Sequence, residues 1–135
     1  MASIISDSFK ITLKIINCDF YEVKRGNPYN TSCLVEIFSD EFYGKTNFLV
    51  NYNDLILFFK EIENMYKILS GKASIKDYDF GSYLNVECDD LGKFIFDGVL
   101  INESFQELKF NNKIDQTYLK GFLSDFSKEI GLMNM

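Results

Sequence analysis

Along residues 8–16 (SFKITLKII), Phe9, Ile11, Leu13 and Ile15 alternate with Lys10, Thr12 and Lys14. A period of two puts one set on a core face and the other in solvent, which predicts a half-buried strand. The next stretch, CDFYEVKRGNPYNTS, holds the one proline of the chain with a glycine and two asparagines nearby. It reads as a long loop or turn. Two β-rich runs follow, 33–38 (CLVEIF) and 42–50 (FYGKTNFLV), and the intervening Ser39-Asp40-Glu41 is short enough to close a hairpin.

Over 54–70 the period changes. Leu55, Phe58, Phe59, Ile62, Tyr66 and Leu69 recur at offsets of three and four, the spacing of one helical face. Asn53 is the expected N-cap, Asp54 favours the positive end of the helix dipole, and Gly71 suits the position past the end. Glu63 and Lys67 stand at i,i+4. Alternation returns over 80–88, with Phe80, Leu84, Val86 and Cys88 against Gly81, Tyr83, Asn85 and Glu87. Asp89-Asp90-Leu91-Gly92 has the residues of a turn. The more continuously apolar 93–101 (KFIFDGVLI) is expected inside the sheet, and Asn102-Glu103-Ser104 leads tightly into 105–110. A last helix is predicted from an Asp115 cap to Gly131, with Tyr118, Leu119, Phe122, Leu123, Phe126 and Ile130 toward the core. Gly121 inside it costs about 1 kcal/mol relative to Ala, which predicts close packing there. These elements predict one domain over 1–135 of the α+β class. Its expected form is an antiparallel β-sheet of about six strands, curved or sandwich-like, with two amphipathic helices packed on it.

Composition supports a folded chain: 47% of its 135 residues are hydrophobic, including 14 Phe and 8 Tyr. No apolar run approaches the roughly 20 residues of a membrane span, and MASIISDSFK lacks the pattern of a secretory signal. Three cysteines, Cys18, Cys33 and Cys88, are an odd number without close spacing. Free thiols in a reducing cytoplasm are the expectation. Acidic residues outnumber basic ones 20 to 14, for a net charge of −6. That sign disfavours direct nucleic-acid binding and attracts a basic partner, although it also serves solubility alone.

With no histidine in the chain, Ser-His-Asp and Cys-His catalysis and His-ligated metals are excluded. Three cysteines cannot make a four-thiolate zinc site, and neither a glycine-rich phosphate loop nor a complete calcium loop occurs. No metal or cofactor is expected. Paired carboxylates remain a chemical possibility, provided two of them face each other across a cleft with separated pKa values. Glu87 is expected on a polar strand face, Asp89 and Asp90 in a turn, and Asp77 and Asp79 in an exposed loop. Asp97 alone has apolar neighbours. Tyr43, Tyr78 and Tyr83 each lie near an acidic turn or on a polar face, a composition common at interfaces. Cys33 and Cys88 sit in apolar strands, where thiols behave as small buried hydrophobes.

Three stretches resemble the WapI-type immunity proteins, small cytoplasmic partners of contact-dependent bacterial toxins. They are LVNYNDLILFFKEIENMYKILSG, YLNVECDDLGKFIFDGVL and FQELKFNNKIDQTYLKGFLSDFSKEI. In the last, Asp115-Gln116-Thr117-Tyr118-Leu119 is similar to the family's approach to its final helix. The likeness covers about residues 49 to 131; the N-terminal third shares only the strand pattern, and the family's frequent tryptophan is absent. The resemblance implies a non-catalytic cytoplasmic protein that binds and occludes the C-terminal domain of a cognate toxin, expected to be a basic nuclease. No functional residue carries over from the family. The residues expected to contact a basic toxin are chosen for their places at turns or on a polar strand face, and are Asp40, Glu41, Asp77, Asp79, Glu87, Asp89 and Asp90 with Tyr43 and Tyr83. Two other classes stay open: a small-ligand or carbohydrate-binding β-rich module using Tyr83 and Asn85, and a carboxylate enzyme. The toxin's identity and the oligomeric state stay open as well.

Overall fold

The computed structural model describes residues 1–133. Its order is β1 (Ala2–Ile5), β2 (Phe9–Cys18), α1 (Phe20–Lys24), β3 (Thr31–Ser39), β4 (Phe42–Val50) and α2 (Tyr52–Ile68), then β5 (Gly71–Lys76), β6 (Tyr83–Cys88), β7 (Phe94–Ile101), β8 (Glu107–Ile114), a 3-10 turn (Gln116–Tyr118) and α3 (Leu119–Met133). The α+β class stands. The strands, however, form two four-stranded antiparallel sheets, β1-β2-β3-β4 and β5-β6-β7-β8, and not one sheet of about six. The four-residue β1 and the weakly patterned β5 (GKASIK) are too short to announce themselves by periodicity. The one-turn α1 lies inside the stretch that reads as a loop.

Each sheet buries one face. Phe9, Ile11, Leu13 and Ile15 of β2 and Cys33, Val35 and Ile37 of β3 point inward, as do Leu84 and Val86 of β6 and Phe94 and Phe96 of β7. They meet Leu55, Phe58 and Ile62 of α2 and Phe122 and Phe126 of α3 in one core. Phe9 links the two sheets directly, its ring 5.9 Å from that of Phe96. Each such Phe contributes roughly 2–3 kcal/mol of transfer free energy.

Several local expectations shift. Asn51 rather than Asn53 caps α2, accepting from the Asn53 amide at 3.0 Å. Leu69, in the left-handed conformation, ends that helix, and Gly71 already belongs to β5. Asp115 does act as a cap, but of the 3-10 turn, and Tyr118 is exposed. Nothing lies within 4 Å of a Cβ placed on Gly121, so close packing does not explain that glycine. The last helix also runs on past Gly131 to Met133.

The edge strand β4 joins the two halves. It crosses the ends of the second sheet in turn, with Gly44 against Leu108, Thr46 Oγ1 donating to the Ile101 carbonyl at 3.0 Å, and Leu49 against Asp77. A Cβ on Gly44 would stand 2.7 Å from Leu108 Cδ2, so a larger residue there would push the Leu108 side chain aside.

Candidate partner-binding surface

The expected acidic residues do not form one face. Asp40 and Glu41 make the β3–β4 turn, next to Tyr43 at the start of β4. Asp77 and Asp79 lie in the β5–β6 loop, beside the far end of β4. Asp89 and Asp90 occupy the β6–β7 turn, at the opposite end of the second sheet. The six residues of β6 separate them from the β5–β6 loop, about 17 Å at the rise of an extended strand. Glu87 and Tyr83 stand on the outer face of that sheet, since they alternate with the buried Leu84, Val86 and Cys88. Asp97 shares that outer face, in a row with Asn85 and Asn111.

Asp77 corrects an expectation outright: it is fully buried. Its Oδ1 accepts from the Leu49 amide at 2.8 Å and the Asp79 amide at 3.0 Å, and its Oδ2 from the Phe80 amide at 2.9 Å. A carboxylate bonded to three backbone amides organises a loop and is not available to a partner. Asp89 is partly committed as well. Its Oδ1 accepts from the amides of Leu91 and Lys93, and its Oδ2 pairs with Lys113 Nζ at 3.1 Å. The Lys93 amide, aided by Lys113, holds its carboxyl below the usual range. Beside it, Lys93 Nζ meets Asp115 Oδ2 at 2.7 Å, and the Asp115 carboxyl falls to about 2, chiefly through that bond.

The thiols are unremarkable chemically. Burial pushes Cys33 up to about 12 and raises Cys88, so both remain protonated thiols at neutral pH. Among the described residues no group of three or more carboxylates and thiols is placed to hold a metal ion.

The surface along β4 is different. Tyr78 Oη donates to Asp54 Oδ2 at 3.3 Å, and its ring meets Tyr29 edge-on at 5.3 Å. The Asp54 charge raises the Tyr78 phenol, keeping it a donor. Next along the seam, Phe80 packs edge-on against Phe105 of the β7–β8 turn at 6.0 Å. Asp79 and Glu103 flank a groove of about 290 Å³ against Lys45 and Asn47 of β4. Toward the start of β4, Tyr43 and Lys45 face Gln106 and Glu107. Tyr43 Oη donates to Glu36 Oε2 at 3.0 Å, and its ring lies 4.4 Å from Phe38.

Of the nine expected residues, the seam therefore gathers Tyr43 and Asp79, with Asp77 beneath it and Asp40 and Glu41 at one end. The sequence pattern does not place Tyr29, Asp54, Phe80, Glu103 and Phe105 there. Phe105 alone left a sequence signal: it is a large apolar residue directly after the turn residues Asn102-Glu103-Ser104.

No family model matches the chain, and no curated protein matches it. Among solved structures it is similar to WHY1 from Arabidopsis thaliana, with a TM-score of 0.60 at 11% identity, over 97% of this chain and 88% of that one. At that identity the likeness concerns the fold: two antiparallel sheets with helices in an α+β arrangement.

Proposed function

We propose that this chain binds a basic bacterial toxin domain and neutralises it by covering it, as the WapI-type immunity proteins that its sequence resembles do. It acts in the cytoplasm, without chemistry, cofactor, membrane or nucleic-acid contact of its own. The observation that carries this reading is the pair of exposed tyrosines already fixed by carboxylates and a neighbouring ring, Tyr43 with Glu36 and Phe38, and Tyr78 with Asp54 and Tyr29. Ordered surface aromatics lose little rotamer freedom on binding and supply large contact areas, the composition of protein interfaces. Co-expression with the toxin C-terminal domain encoded by the adjacent gene tests it. Cells should survive, and the purified pair should associate more slowly as salt is added. A purified chain that turns over a substrate by itself, and loses turnover when Asp or Glu becomes its amide, would refute the proposal.

One feature favours a second reading. Ser74, Asn85, Asp97 and Asn111 stand in register across all four strands of the second sheet, on its outer face beside Tyr83. A row of hydrogen-bonding side chains next to an exposed ring suits a sugar or another polar small molecule. Glycan-array binding abolished by Asn85→Ala would favour this reading over the first.

A further inference from the structure

Resting on that binding role, we infer that the partner docks along the β4 seam, with Phe105 as its anchor and a basic protein surface as its occupant. Two turns of the same architecture carry the inference. In the β6–β7 turn the Asp89 amide donates to the Lys93 carbonyl and the Gly92 amide to the Asp89 carbonyl; in the β7–β8 turn the Asn102 amide donates to Gln106 and the Phe105 amide to Asn102. The first side chain of each turn accepts from the amides two and four residues on: Asp89 from Leu91 and Lys93, Asn102 from Ser104 and Gln106. The fourth position is left-handed in both, at φ +78 for Gly92 and φ +60 for Phe105.

Glycine adopts that conformation freely, whereas a side chain with a Cβ is strained there. Phe105 gains no core burial in return, being 74% exposed. A strained, solvent-facing aromatic is accounted for by what it contacts outside the chain. Its inner neighbour Phe80 is held by the buried Asp77, so the ring pair is preformed.

Charge selects the occupant. Asp79, Glu103 and Glu107 border the seam grooves against Lys45. Away from the seam, the outer face of the first sheet has the opposite balance, with Lys10 and Lys14 of β2 on either side of Glu36. A basic surface is drawn to the seam and repelled from that face. The groove between Asp79 and Glu103, about 290 Å³, sits at the lower limit for ligand pockets and suits one or two protruding side chains of a partner.

The test is calorimetric titration of the full chain with the adjacent gene's toxin C-terminal domain, inactivated by substitution. Phe105→Asn, which tolerates the left-handed position, should weaken binding at least tenfold while leaving the fold intact. Asp79→Asn with Glu103→Gln should weaken it several-fold and flatten its salt dependence, and Leu91→Ser in the sister turn should leave it unchanged. Unchanged affinity for Phe105→Asn overturns the seam assignment. So does hydrogen-exchange protection by the toxin domain at Lys10 and Lys14 rather than at residues 78–80 and 102–106. A dimer of the free chain that Phe105→Asn dissociates overturns it in favour of a second copy as the occupant. Absence of any complex with the wild-type chain overturns the binding role itself.

Discussion

The two ends of the second sheet use the same backbone for opposite purposes. At the β6–β7 end, Gly92 takes the left-handed position, and the charges close on one another as Asp89–Lys113 and Asp115–Lys93. At the other end, Phe105 occupies the equivalent position, and Asp79 and Glu103 border an open groove. One end is built for the chain's own stability. The other accepts strain and leaves aromatic surface and charge uncovered. The contrast shows that a turn's sequence has to be judged against the backbone it must adopt, because an exposed Phe means little until its φ is known.

The largest expected effect separates the two carboxylates that organise these ends. Asp77→Ala strands three amides in a buried site and should cost about 4 kcal/mol, at about 1–3 kcal/mol for each unsatisfied group with partial relaxation. Asp89→Ala, in a solvated turn, should cost only a small part of that. Denaturant unfolding of the two variants measures the difference, and equal losses would break the comparison. Next comes the exchange of the left-handed residues. Gly92→Phe should destabilise by about 1–2 kcal/mol, and Phe105→Asn should stabilise by about 1 kcal/mol, each as a shift of midpoint at constant slope. If Phe105→Asn destabilises, the ring is serving the fold and not a partner.

A smaller effect concerns acid. Asp115 and Asp89 have folded-state pKa values depressed below 3.8, to about 2 for Asp115. A depressed carboxylate contributes stability that is complete above the unfolded value and is lost as pH falls through the folded one. Stability should therefore decline from about pH 4 toward pH 2, and Asp89→Asn with Asp115→Asn should flatten that decline. Unfolding midpoints across this range decide it. The smallest effect is expected of Leu91→Ser, whose exposed side chain should shift stability by no more than about 0.5 kcal/mol.

Much of the fold could be read from periodicity. The strict alternation of Phe9 to Ile15 and the helical spacing of Leu55, Phe58 and Ile62 mark positions that are buried. The same rule puts Tyr118 with the core, yet the chain is in a 3-10 turn there, where the α-helical phase does not apply. The division into two sheets was not legible, because period-two patterns give a strand's inner face but not its sheet. The site was less legible still. Asp77 and Asp79 look alike in DYDF; only the meeting with β4 buries the first and exposes the second. Phe105 stood in plain view, but its meaning lies in a backbone angle that no composition rule reports.

Asp77 also has a mechanical consequence. Its carboxylate binds the Leu49 amide of one sheet and the Phe80 amide beside the other, so it acts as a rivet across the joint. Any excursion that parts the halves must first pull that rivet. A macromolecule clamped over the same joint would hold it shut, so amides deep in both sheets, far from any contact, should exchange more slowly in the bound state than in the free one.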